Sequence, residues 1–217
     1  GRQPVGQGGR QQGRKLGQSL GFLGGSDPTY HRFVSVRRTV RGDDYRALCD
    51  FVAAEQSSLF RLVVAALAVS VFRYDGDQHV DGLAIAHTVD TRTVPAATGN
   101  FANVIPLFVP DRCEWSPRDY LAFVRSERHR ARPHQRFPSS QLIALADERR
   151  NRNTPVFNLV VNESQGLLPG FAPSLPGIRA ALLRTPATGG PFDLGVTFAH
   201  DEDGLRLSVD VPEELAP

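Results

Sequence analysis

The 217-residue chain carries 25 Lys and Arg against 23 Asp and Glu, a formal charge of +2, and 41% of its residues are hydrophobic. That balance suits one sizeable core with an appendage and excludes a polyelectrolyte. No apolar run reaches the roughly 18 residues that span a bilayer, and the first residues lack a signal-peptide block, so a cytoplasmic protein without membrane contact is expected.

Two further features of composition bear on how the chain is read. Methionine is absent, so Gly1 is not expected to be a translation start and the sequence is expected to be part of a longer or processed polypeptide. Lys15 is the only lysine, and arginine supplies the other cations alongside much Ala, Gly and Pro, the mark of a high-GC coding bias. Cys49 and Cys113 stand far apart without CxxC spacing and read as core thiols.

In chain order, residues 1–26 are rich in Gly, Gln and Arg and too poor in apolar residues to offset chain entropy, so a flexible tail or linker is expected ahead of one domain over residues 27–217. Arg2, Arg10, Arg14 and Lys15 could touch phosphates, but no aromatic is interleaved before Phe22, and nucleic acid is not the expected partner. Residues 30–38 read as a strand. A helix follows over 42–55 with Asp43 and Asp44 in its first turn, where the helix dipole favours anions. Ser57 or Ser58 can cap a second helix over 59–74, whose apolar residues leave almost no polar face, so burial on nearly all sides is expected. Asp75-Gly76-Asp77 turns the chain into a strand over 82–87, and a loop leads to Thr98-Gly99-Asn100-Phe101-Ala102-Asn103-Val104-Ile105-Pro106-Leu107, a glycine turn feeding an apolar strand.

Ser116, Pro117 and Asp119 announce a third helix, expected to reach about residue 132. A shorter helix over 139–147, a strand over 156–161 and a Gly/Pro-rich excursion over 162–177 follow. Strands over 192–199 and 205–211 flank Asp201-Glu202-Asp203-Gly204 and form a hairpin, with Asp203-Gly204 as its positive-φ pair. The class is α/β, with helices packed on a mixed sheet.

Four blocks in order resemble condensation domains of nonribosomal peptide synthetases. Residues 98–107 resemble that family's IGxFVNTxPLR block, His134-Gln135-Arg136-Phe137-Pro138-Ser139-Ser140-Gln141-Leu142-Ile143 its HQDxPFExLV, residues 149–157 its RDxSRxPLFQ, and Pro191-Phe192-Asp193-Leu194 its PFDL. Upstream, residues 59–86 are similar to its LFxxLLAAFAxLLxRYTGxxDVxVGxP stretch, so the resemblance covers roughly residues 27–211.

The resemblance implies a chloramphenicol-acetyltransferase-like lobe, the C-terminal one of two. It implies an N-terminal lobe carrying an HHxxxDG motif, which this chain lacks, and amide formation in a tunnel between the lobes. It implies peptidyl or aminoacyl carrier proteins and adjacent synthetase domains as partners. Phosphopantetheine arms of those carriers would enter the tunnel, with no cofactor held by the chain itself, and residues 162–191 would supply a latch. The chain alone is expected to be inactive. The sequence departs from the pattern at Arg136, where an acid is usual, at Ser139-Ser140 in place of Phe-Glu, and at Asn151 in place of Asp, which favours a divergent domain or a non-catalytic docking or recruitment module as the alternative. A small-molecule acetyltransferase would need a histidine motif that is missing.

No catalytic or metal-binding residue is assigned. His200 lies one residue short of an HxxxDG spacing and is read as part of a hairpin turn, while His79 and His87 are read as residues of strand ends. Gly99, Asn103, Pro106, His134 and Gln135 are the candidates for tunnel wall or structural motif. Asn103 needs a partner for its amide, either a substrate or the neighbouring turn and strand. Arg125, Arg128 and Arg132 recur at three- and four-residue spacing and line one helix face, a solvated surface or a site for an acidic carrier or its phosphate.

Overall fold

The computed structural model describes residues 33–75, 82–94, 96–112, 114–149, 159–164, 177 and 194–213, and among these the chain forms six strands and four helices. The strands are β1 (Phe33–Val40), β2 (Gly82–Asp90), β3 (Ala102–Pro110), β4 (Leu159–Glu163), β5 (Leu194–Asp201) and β6 (Gly204–Pro212). The helices are α1 (Gly42–Ala54), α2 (Leu59–Asp75), α3 (Pro117–Ala131) and α4 (Ser139–Arg149), with a short 3-10 turn, Arg132–His134, after α3. The expected tail at 1–26, the turn at 76–77, His79 and most of the RDxSRxPLFQ-like block lie outside the described residues, as do most of the expected latch and the first three residues of the PFDL block.

One mixed sheet runs in the order β1-β6-β5-β4-β2-β3. β4 pairs parallel with both β2 and β5, while β1 with β6, β5 with β6 and β2 with β3 are antiparallel. The parallel centre explains why Leu159, Val161, Val196 and Phe198 are buried almost completely. Their side chains meet Val63, Val64, Ala68 and Phe72 of α2 and Tyr120 and Val124 of α3 in a single core.

Local chemistry sets the helix limits. α1 ends where Gln56 adopts a left-handed backbone (φ 48), letting Gln56 N–H donate to Ala53 O at 3.0 Å and Ser57 N–H to Val52 O at 2.8 Å, a Schellman closure. The chain then reverses by 103° into α2, and no single helix among the described residues is long and apolar enough to cross a membrane. α3 opens with a full capping box: Ser116 accepts from the Asp119 backbone while Asp119 accepts from the Ser116 backbone at 2.8 Å, and Pro117 occupies the first turn.

The structure corrects four local expectations. α2, expected to be buried on nearly all sides, keeps a solvent-facing stripe: Ala66, Ser70 and Arg73 are exposed, and Ser70 Oγ donates to Ala66 O at 2.7 Å. Asn162 and Glu163 belong to β4 instead of opening a latch, because Asn162 accepts from Thr88 Oγ at 2.5 Å and is held in the sheet. His200 lies in β5 rather than in an exposed turn.

The fourth correction is the hairpin. Asp203 does not share the positive φ; Gly204 alone does (φ 151). An added Cβ there would stand 2.3 Å from the Val40 carbonyl oxygen, so glycine is required by the approach of β1 as well as by the backbone angle. Gly204→Ala is therefore expected to lower unfolding free energy by about 1–3 kcal/mol and to loosen the β1 edge. Urea denaturation, with hydrogen exchange at Val40, measures both effects.

Candidate functional site

A pocket of about 680 Å³ opens between α3, α2 and the helix-facing side of β2 and β3, a size suited to a small organic ligand. Helical spacing brings Ala122, Arg125, Ser126, His129 and Arg132 to one side of it, with Arg128 beside them. α2 contributes Arg61. His87 and Val89 of β2 and Ile105 of β3 line its base, because alternate strand residues share a face. Gln135 completes the lining.

The base of this pocket is closed by a buried imidazole. His87 is 1% exposed and contacts the Ile105 carbonyl through Nδ1 at 3.1 Å. A carbonyl only accepts, so Nδ1 carries the hydrogen and Nε2 of the neutral ring is left with its lone pair. Burial, reinforced by the Arg128 charge, lowers the His87 pKa from 6.5 to about 4 against the opposing Ile105 hydrogen bond. The ring also packs 5.4 Å from Phe60, whose own face receives the Arg128 guanidinium at 4.3 Å. Burial and the adjacent Arg61 cation press Arg128 below the ordinary guanidinium range, with Glu163 pulling the other way.

The arginine face expected from the sequence thus divides. Arg125 and Arg132 are exposed at the rim, whereas Arg128 is partly buried against Phe60. Arg61 and His87 were not singled out as site residues. Arg61 was masked by the apolar run around it, and His87 by the Asp90 that follows; only its alternation with Ile85 and Val89 marks it as inward-facing.

Asn103 acts at close range on this site. Its Nδ2 donates to Gln135 O at 2.9 Å and to Phe137 O at 2.7 Å, and its Oδ1 accepts from Ser139 N–H at 3.2 Å. The amide therefore joins the IGxFVNTxPLR-like block to the HQDxPFExLV-like block, not to the turn before it. That turn is closed by Thr91, whose hydroxyl and N–H both donate to Phe101 O at 2.7 and 2.9 Å, and by Asn100, which accepts from Ala102 N–H at 3.0 Å. Gly99 (φ 148) sits exposed in it. Pro106 stands opposite Ala86 in the β2–β3 ladder, and His134 is exposed in the 3-10 turn with its carbonyl accepting from Phe137 N–H at 2.9 Å. Neither lines the pocket. His200 is half-exposed and approaches Glu163 at 3.4 Å, on the helix-facing side of the sheet.

No protein-family model matches the chain. It is 22% identical over 183 residues to bacitracin synthase 1 of Bacillus licheniformis, a match spanning 83% of this chain and 3% of that protein. Among solved structures, the first condensation domain of the CDA synthetase superposes with a TM-score of 0.67 at 20% identity, over 97% of this chain and 46% of that one. The X-domain from teicoplanin biosynthesis gives 0.73 at 18% identity, over 98% and 51%. The starter condensation domain of rhizomide synthetase, in complex with C8-CoA and Leu-SNAC, gives 0.69 at 18% identity, over 97% and 48%. The fold is that of a condensation-domain lobe, and the chain spans about half the length of these solved structures.

Two outcomes follow from the geometry. Asn103→Ala removes three hydrogen bonds at a partly buried junction and is expected to cost about 1–3 kcal/mol, with increased proteolytic cutting near residues 135–139, read by denaturant melts and limited proteolysis. Because the folded-state pKa of His87 lies below the ordinary 6.5, its contribution is complete above that value and is lost as pH falls toward 4, on the order of 3 kcal/mol in all. Stability measured between pH 7 and 4 should fall more steeply in the native chain than in His87→Gln.

Proposed function

We propose that the chain is the C-terminal lobe of a condensation domain and forms amide bonds in nonribosomal peptide assembly once joined to an N-terminal lobe carrying HHxxxDG. The observation that carries this reading is one of proportion. The likeness takes in 97–98% of this chain and only 46–51% of three condensation-type structures, as half of a two-lobed domain would. The chain has no HHxxxDG of its own.

In the proposed reaction an acceptor amine attacks a carrier-bound acyl or peptidyl thioester. The C–N bond forms, the C–S bond breaks, the amine proton leaves through a base, and the carrier thiol departs protonated. This lobe supplies a wall that excludes water and fixes the approach of the two arms. Its Asn103 tie holds Gln135 and the end of α3 in place, and its exposed Arg125 and Arg132 are suited to meeting an acidic carrier. Phosphopantetheine arms arrive on carrier proteins, and neighbouring synthetase domains present them.

A second reading, a non-catalytic docking or recruitment module, is favoured by Arg136 and by Ser139-Ser140, where the family pattern has an acid and Phe-Glu. One experiment separates the two. Donor and acceptor aminoacyl carrier proteins are incubated with the chain alone and with the two-lobe domain, and intact-protein mass spectrometry follows transfer. Condensation by the two-lobe domain but not by the chain alone is the expected result. Transfer by the chain alone would overturn the proposal, and carrier binding by the two-lobe domain without transfer would establish the docking module.

A further inference from the structure

Three arginines among the described residues are partly buried, and they are treated differently. Arg206 is neutralised by Asp201 at 2.5 Å. Arg61 and Arg128 line the pocket, and neither is ion-paired with a described acid. Arg61 Nε is buried and has no hydrogen-bond partner among the described residues. A guanidinium nitrogen removed from water in that way is costly unless something supplies an acceptor. The two cations also repel one another, as the effect of Arg61 on Arg128 records.

The same lining adds Arg125 and Arg132 and contains no Asp or Glu. Four arginines therefore line one concave space, from α2, α3 and the 3-10 turn after α3, over a base of Ile105, Val89 and a buried imidazole. Glu163 influences Arg128 from β4, but its carboxylate lies beside His200 and does not line the pocket. A merely solvated face does not require a concave wall or an orphaned nitrogen. A docking surface for a folded partner would use the exposed rim and leave Arg61 unanswered.

We propose that this pocket is a binding subsite for a compact, multiply charged oxyanion, a phosphate or dicarboxylate group on a small molecule. Planar guanidinium groups hold such oxyanions through paired charge-assisted hydrogen bonds, and here α2 adds Arg61 to the three arginines of the α3 side. The anion gives the lining cations a counter-charge and relieves the Arg61–Arg128 repulsion. Neutral His87, buried at the base, adds no charge to the arginines around it. The assignment does not depend on amide formation, since it rests on the pocket alone.

The test uses the full 217-residue chain at low ionic strength, with inorganic phosphate, glutarate, acetate and free phosphopantetheine as probes. Binding is followed through the His87 imidazole resonances. Saturable shifts are expected with phosphate and glutarate, at least ~10-fold tighter than with acetate. Arg61→Gln should weaken binding ~10-fold or more while leaving the melting temperature unchanged or higher, because it removes a buried Nε that has no acceptor. Arg132→Gln, at the exposed rim, should weaken binding several-fold without disturbing the fold, and Arg37→Gln on β1 should leave it unchanged. Phosphopantetheine binding as tightly as phosphate assigns the anion to a prosthetic arm, whereas a preference for glutarate assigns it to a substrate carboxylate. Absence of any saturable shift, or equal weakening by Arg37→Gln and Arg61→Gln, overturns the proposal. Condensation by the two-lobe domain without anion binding would remove this subsite and leave the proposed function standing; anion binding without condensation would do the reverse.

Discussion

The site depends on one side-chain amide. Asn103 projects from the first part of β3 and satisfies two carbonyls and one N–H in the segment that leaves α3. The other hydrogen bonds of residues 135–139 among the described residues are to near neighbours in sequence, so Asn103 is the hydrogen-bonded tie from the connection between α3 and α4 to the sheet. With it, Gln135 is fixed at the pocket, the end of α3 is held, and Arg132 and Arg128 keep their direction. Asparagine suits this post because it donates and accepts at once; aspartate would present charge to two carbonyls, and leucine would leave all three groups unanswered.

The second constraint is the cost of collecting positive charge in a partly dry space. Arg128 is accommodated by the face of Phe60, and His87 by remaining neutral with its Nδ1 hydrogen on Ile105 O. Arg61 has no such accommodation among the described residues. Natural sequences keep such tension where function uses it, because a neutral residue would relieve it without loss of the fold. The pocket is thus stabilised around cations by its aromatic and backbone neighbours, and the proposed anion would complete it.

Much of the architecture was legible in the sequence because it rests on local signals. The apolar run after the glycine turn marked β3, the Ser116-Pro117-Asp119 start marked α3, and α2 was plain from its many apolar residues. Less was legible where distant segments decide the outcome. The partners of Asn103 lie more than thirty residues away, so its need for hydrogen bonds could be read but not their direction. His87 looked like a strand-end residue because Asp90 follows it, and only the pairing of β2 with β3 and β4 makes it a floor. Arg125, Arg128 and Arg132 were legible as a face, but the division between rim and interior depended on Phe60 arriving from α2. Gly204 is required by the approach of β1, an element more than 160 residues earlier, as well as by its own positive φ, and no reading of the hairpin alone contains that approach.

In the proposed account this lobe binds, orients and excludes water, and the proton chemistry belongs to its partner lobe. The most direct measurement is single-turnover amide formation by the two-lobe domain, comparing replacement of the second histidine of the partner lobe's HHxxxDG with His87→Gln in this one. The account predicts loss of amide formation in the first and a rate within ~10-fold of native in the second. A folded His87→Gln domain that binds both carriers yet forms no amide would contradict it, and would place essential chemistry on this chain.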